Sequence, residues 1–258
     1  MVAEDHEEGF LLLSTGDGRK QWLFNLIESI REFYPEAPVH VLTDAPVDVP
    51  HTLIGAGTGL DSRFYKTRLY HHSPFGRTIF LDDDTIVNGC FGMLEGLLDG
   101  WDVGMALDPF ATLGLWRDNV LRNCMGHFPG WDAFVGYVDG VKEDRPFFNS
   151  GVMVWRRGEV ARRLFDRWHG LWRDGGRGPD QTWLARAVLE LEVEVRVLPQ
   201  EMNFYPVEGH RFGHGSYPRA EEAKVIHYLS HHGKRVMEEA GRRAPFHRAY
   251  LEHVAGRG

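Results

Sequence analysis

Short apolar runs that end on polar or acidic side chains constrain this chain more than any other feature. Phe10-Leu11-Leu12-Leu13 leads into Ser14-Thr15-Gly16-Asp17, and Val39-His40-Val41-Leu42 into Thr43-Asp44. Ile79-Phe80-Leu81 leads into Asp82-Asp83-Asp84, and Val103 to Leu107 into Asp108-Pro109. Strands with so little polar alternation are buried on both faces, the condition of a parallel sheet covered by helices. Helical stretches separate them. Trp22, Leu23, Leu26, Ile27 and Ile30 share one face of a segment that Pro35 stops, with Asp17 as its N-cap. Asp61 can cap a second helix that runs to about Tyr70, before a turn at Ser73 to Gly76.

The rhythm continues to the end of the chain. A strand from Gly151 to Trp155 precedes a helix from about Glu159 to Trp172 and a glycine-rich linker, Gly175 to Gly178. A helix from Asp180 to Leu189 follows, with Asp180 as N-cap, then an alternating strand Val193-Val195-Val197. A Gly- and His-rich loop (Gly209 to Ser216), a strand Val225 to Tyr228 and a helical tail complete it. Only the stretch from Phe110 to Pro146 lacks clear periodicity, and its aromatics (Trp116, Phe128, Trp131, Phe134, Tyr137) read mainly as local core. Alternation of this kind predicts an α/β fold with a mostly parallel sheet, in which ligands bind at the carboxyl ends of strands.

With 258 residues and 43% hydrophobic side chains, the chain is sized for one large α/β domain. A net charge of -8 argues against a broad nucleic-acid-binding face. Cys90 and Cys124 make neither a disulfide framework nor a zinc motif. The opening MVAEDHEEG is acidic where a signal peptide is basic, and no apolar stretch reaches the ~20 residues of a membrane span, so a soluble cytoplasmic protein is expected.

The acidic triplet is costly where it stands. Two like charges about 4 Å apart repel by roughly 4 kcal/mol at an effective dielectric near 20. In extended chain, residues i and i+2 share a face with Cα atoms ~6.6 Å apart. Asp82 and Asp84 therefore converge while Asp83 points away, and a pair of this kind suits a hard divalent ion. His227, at the end of a short apolar strand, supplies an imidazole of the intermediate hardness that favours Mn²⁺ over Ca²⁺. His231 and His232 offer a loop alternative, without the cysteines or HExxH pattern of a zinc site.

The segment FLDDDTIV resembles the YLDADTLV-type motif of GT-A-fold glycosyltransferases, especially family 8 and its relatives. Further partial matches run in the family's order. STGDG and its helix resemble the first nucleotide-binding turn, and Lys66 to Leu69 the basic stretch before the DxD strand. Phe148-Asn149-Ser150-Gly151-Val152 resembles the FNSGV segment, Asp180-Gln181 the DQ pair, and His227-Tyr228 with Gly233-Lys234 the late HxxGxxK segment. The chain departs from that pattern at Arg19, where an aromatic often stands near the base, and at Ser230 and Lys234, where a glycine is replaced and the spacing is one longer.

The resemblance implies a GT-A-like, Rossmann-like single domain over residues 1–258. It divides into a nucleotide- and metal-binding half (about 9–108), an acceptor-side insertion (109–147), a donor-sugar and acceptor half (148–234) and a helical tail (235–258). It also implies an enzyme that transfers a sugar from a nucleotide diphosphate, a UDP-sugar foremost, to an unidentified acceptor with retention. Asp82, Asp84 and His227 would bind Mn²⁺ or Mg²⁺. Thr15, Gly16, Asp17, Lys66, Asp83, Asn149, Ser150 and Lys234 would bind the nucleotide and donor, with Asp180 and Gln181 catalytic. Charge builds on the departing diphosphate as the glycosidic bond breaks, which is why the chemistry calls for a cation and a lysine there.

Three rivals stand beside it. A haloacid-dehalogenase-type phosphohydrolase also begins from strand-DxD, but here Thr85 comes one position early and the triplet lies far from the chain start. A non-catalytic nucleotide-sugar-binding protein would keep the metal site without turnover. A sugar-nucleotide pyrophosphorylase would need a glycine-rich signature that STGDGRK lacks.

Overall fold

A computed structural model of the chain describes residues 7–16, 19–55, 62–92, 94–122, 131–140, 143–205 and 222–228. The first four apolar runs become strands, β1 (Glu8–Ser14), β2 (Val39–Thr43), β4 (Arg77–Asp82) and β6 (Val103–Thr112). Helix α1 (Lys20–Phe33) buries Trp22, Leu23, Leu26 and Ile30 along one side. Tyr34 closes it by donating its backbone N–H to Ile30 O, and Pro35 cannot extend it. Its N-cap is Arg19, with no side-chain cap; Asp17, the cap expected from sequence, lies outside the described residues.

Seven strands form the main sheet in the order β3-β2-β1-β4-β7-β6-β8, where β3 is His51–Leu53, β7 Pro146–Arg156 and β8 Arg196–Leu198. Neighbours run parallel except at β7, which is antiparallel to both β4 and β6. That reversal positions the site. A strand running against its neighbours begins where theirs end, so Phe148, Asn149 and Ser150 enter at the carboxyl edge beside Asp82 and Asp108. The register agrees, with Leu81 opposite Val152 and Leu107 opposite Phe148.

Alternate residues of each strand feed two cores. One face carries Leu11, Leu13, Phe80, Met105 and Trp155 into a layer with Trp168, Trp172 and Trp183 of α7 (Glu159–Asp174) and α8 (Asp180–Glu190). The other carries Phe10, Leu12, Ile79, Leu81 and Val154 against Leu23, Leu26 and Ile30 of α1. Covering on both sides explains the uninterrupted apolar runs.

Several elements differ from the sequence reading. The helix before β4 is two short pieces, α2 (Ser62–Lys66) and α3 (Leu69–His72). The aperiodic stretch holds α5 (Leu113–Arg122) and α6 (Trp131–Asp139), whose Leu113, Phe134 and Val138 pack with Phe147 and Ala185. Of its aromatics, Phe134 is fully buried and Trp116 packs against it. Strand β8 keeps only the last part of the expected alternating run, and α4 (Leu94–Leu98) was not anticipated. A second, two-stranded sheet pairs β5 (Thr85–Val87) with β9 (Val225–His227). Among the described residues no helix is long and apolar enough to cross a membrane.

Candidate active site

Asp82 is the last residue of β4, and the chain turns at Asp83-Asp84 before β5 starts at Thr85. The Thr85 hydroxyl donates to Asp82 O at 2.7 Å across this turn. The triplet is thus not the extended chain assumed from sequence, and a tight turn rather than strand alternation brings Asp82 and Asp84 together. Asp83 does face elsewhere. Its carboxylate accepts from Ser14 Oγ at 2.8 Å and from Arg19 at 3.0 Å.

His227 arrives from the other end of the described chain. The β5–β9 ladder sets it opposite Thr85, and Tyr228 N–H donates to Asp84 O at 2.8 Å. His227 Nε2 then lies 3.2 Å from Asp84 Oδ1. One ligand atom from each of Asp82, Asp84 and His227 falls within 4.8 Å of the others. Two ligands at right angles around an ion with ~2.1 Å bonds sit about 3 Å apart, so the Asp84–His227 spacing fits a divalent ion. Two carboxylates and one imidazole could together coordinate a divalent metal ion.

Lys66 closes the cluster on its other side. Its ammonium donates to Asp82 Oδ2 at 2.6 Å and lies 3.6 Å from Asp180 Oδ2. Burial alone would weaken its hold on the proton, but Asp180 and Asp82 outweigh that and raise its pKa. Asp180 also accepts from Ser150 Oγ at 2.8 Å, and Arg63 Nε lies 3.4 Å away. Burial pushes the Asp180 carboxyl up, yet Lys66, Ser150 and Arg63 together hold it below the usual range. This engagement corrects the expectation that Asp180 caps α8. The N-cap is Pro179, and the carboxylate turns to Lys66 instead.

An amide relay extends from there. Asn149 Nδ2 donates to Gln181 Oε1 at 3.1 Å, and Gln181 Nε2 donates to Asp108 Oδ2 at 2.7 Å. Asn149 Oδ1 accepts from Gly151 N–H at 2.7 Å, which fixes the amide's direction. Burial raises three carboxyls in the region, Asp82, Asp83 and Asp108, against the opposing pull of Lys66, Arg19 and the Phe110 N–H respectively. Asp83 reaches about 7.

Thr15 and Gly16 follow β1 at the same sheet edge, where Gly16 N–H donates to Asp44 Oδ2 at 2.8 Å. Gly16 has φ +89°, a conformation that favours glycine. The structure therefore gathers Asp82, Asp84, His227, Lys66, Asn149, Ser150, Asp180 and Gln181 into one network, with Asp83, Thr15 and Gly16 on its flank. Asp17, Lys234, His231, His232 and the loop from Gly209 to Ser216 lie outside the described residues. Sequence reasoning missed Arg63, Asp44, Asn203 and Tyr205 as site residues. Arg63 had a signal, since it shares α2 with Lys66, and Asp44 had one in its place at a strand end; Asn203 and Tyr205 had no local pattern to mark them.

No protein-family model and no curated protein matches the sequence. Solved structures do. The galactosyltransferase LgtC, described in complex with donor and acceptor sugar analogs, aligns at TM-score 0.57 and 14% identity, over 96% of this chain and 95% of that one. Mouse xyloside xylosyltransferase 1 in its apo form aligns at 0.55 and 15%, over 87% and 97%. The apo bifunctional glycosyltransferase WbbM aligns at 0.57 and 16%, over 98% of this chain and 50% of its own. At these identities the likeness speaks to architecture: the chain has a GT-A-like fold, with a candidate metal-coordinating cluster of Asp82, Asp84 and His227 at its carboxyl edge.

Proposed function

We propose that this chain is a metal-dependent glycosyltransferase that moves a sugar from a nucleotide diphosphate, a UDP-sugar foremost, to an acceptor with retention of anomeric configuration. The observation that carries the reading is the convergence of Asp82, Asp84 and His227 within 4.8 Å, beside a buried lysine. The glycosyltransferase names of the three aligned structures support it.

Asp82, Asp84 and His227 would hold Mn²⁺ or Mg²⁺, which when bound draws charge from the departing diphosphate. Lys66 holds its positive charge in a buried setting and presents it next to the phosphates' position. Ser150 and Lys66 orient Asp180, whose carboxylate stays ionised and stabilises positive charge at the anomeric carbon. Asp108 and Asn149 clamp the Gln181 amide from both ends, so its place is set before the donor arrives. Thr15 and Gly16 offer backbone and hydroxyl groups to the nucleoside.

The test is a thermal-shift panel of UDP, GDP, ADP and TDP with and without Mn²⁺, followed by nucleotide release from the matching labelled sugar donors. A shift that needs one nucleotide and the metal, is lost in Asp84→Ala, and is accompanied by turnover supports the proposal. Shifts without turnover favour a binding protein. Phosphate release from simple phosphomonoesters would favour a phosphohydrolase.

A further inference from the structure

Behind His227, on the side away from Asp84, lies a buried pair that the proposed chemistry leaves unused. Asn203 Oδ1 is 2.9 Å from His227 Nδ1, and Asn203 Nδ2 donates to the Tyr205 hydroxyl at 2.7 Å. The Tyr205 ring stacks on the imidazole with centroids 5.1 Å apart and planes inclined by 28°. All three residues are buried, at 3% or less exposed. Backbone bonds tie the two segments, His227 N–H to Phe204 O at 2.8 Å and Phe204 N–H to Val225 O at 2.9 Å. The ring's Cε1 edge meets Gly151, where a Cβ would come within 2.3 Å.

The Asn203 amide nitrogen is directed at the Tyr205 hydroxyl and its oxygen at Nδ1. A carbonyl oxygen only accepts, which puts the ring proton on Nδ1. The Nε2 lone pair is then turned toward Asp84 Oδ1, and two acceptors 3.2 Å apart call for a positive charge between them. The reverse amide orientation would put the proton on Nε2, where an ion has to bind.

We infer that Asn203, backed by Tyr205, is a positioning residue that selects the tautomer and ring plane in which His227 ligates a divalent cation. This rests on the metal-site reading above, and the experiment separates the two. Mn²⁺ binding to the full chain is followed by electron paramagnetic resonance, alone and with UDP, at pH 8. If the wild type takes up Mn²⁺ and Asp84→Ala does not, the metal site stands; if the wild type takes up none, it falls and this inference with it. With the site standing, Asn203→Leu should bind Mn²⁺ about 10–100-fold more weakly, as for other groups that orient metal-binding histidines. Asn203→Asp, which keeps the acceptor, should bind within a few-fold of wild type. Wild-type affinity in Asn203→Leu, or an equal loss in both variants, overturns the inference. A readout independent of any fold defect is the two-bond ¹H–¹⁵N spectrum of the metal-free wild type at pH 9, with His227 assigned by its absence in His227→Gln. A proton on Nδ1 is expected; a proton on Nε2 overturns the assignment.

Discussion

Lys66 is a buried cation that two partly buried carboxylates share. Replacing it with methionine keeps the stem's bulk but leaves Asp82 and Asp180 without their common partner. Removing one member of a buried ionic group costs roughly 3–5 kcal/mol, so Lys66→Met should unfold at markedly lower urea. Mn²⁺ should restore part of that loss, because it neutralises Asp82 by another route; urea midpoints with and without the ion measure both effects. Gly151 sets a different limit. A Cβ there would sit 2.3 Å from His227 Cε1 and 2.9 Å from Asn149 Oδ1, so Gly151→Ala should displace the imidazole and the Asn149 amide. The expected result is loss of the Mn²⁺-dependent nucleotide shift in a protein whose far-ultraviolet circular dichroism is unchanged.

At the scale of elements, α7 supports the start of α8. The Trp168 indole N–H donates to Asp180 O at 2.8 Å from a fully buried position. Trp168→Phe keeps most of the packing but removes that donor from a carbonyl which the helix's own ladder also uses, at a cost of about 0.5–1.5 kcal/mol. Chemical denaturation checks the cost, and a raised donor KM would show that Asp180 has shifted. The same elements show what could be read from sequence. Strands β1, β2, β4 and β6 and helices α1, α7 and α8 were legible, because burial on both faces or along one face writes a pattern over several residues. Strands β3, β5 and β9 span three residues each, too few for a period, and only β9 was found. The direction of β7 was not legible, since a strand covered on both faces looks alike whichever way it runs. For α5 and α6, Gly114 and Gly136 and the aromatics broke the helical pattern. In the site, Asp82, Asp84 and His227 stood out by type and position. Asn203 did not, being one asparagine in the 3-10 turn Gln200–Asn203, and only the fold carries it to His227.

Across the whole molecule, which carries a net charge of -8, one group of carboxylates stands out chemically. Asp82, Asp83, Asp84, Asp108 and Asp180 meet at one sheet edge, with Lys66, Arg63 and Arg19 as the cations bonded or paired to them. A divalent ion bound there would relieve the remaining repulsion in the folded state, so it should stabilise the protein even without a nucleotide. At about a hundred times its dissociation constant, a ligand adds roughly 2.7 kcal/mol. For a domain of this size that is several degrees, at about 2–4 °C per kcal/mol. Differential scanning fluorimetry should show the rise with Mn²⁺, its reversal by EDTA, and no comparable rise with NaCl of equal ionic strength.

The β5–β9 ladder also dictates an order of events during synthesis. Asp82 and Asp84 leave the ribosome well before His227, which the ladder holds against Thr85 and which emerges after all seven strands of the main sheet. A nascent chain can therefore assemble that sheet while its ion site still lacks the imidazole. If the cluster takes a cation as proposed, full-strength capture would await the synthesis of His227, after β7 and α8 have been made.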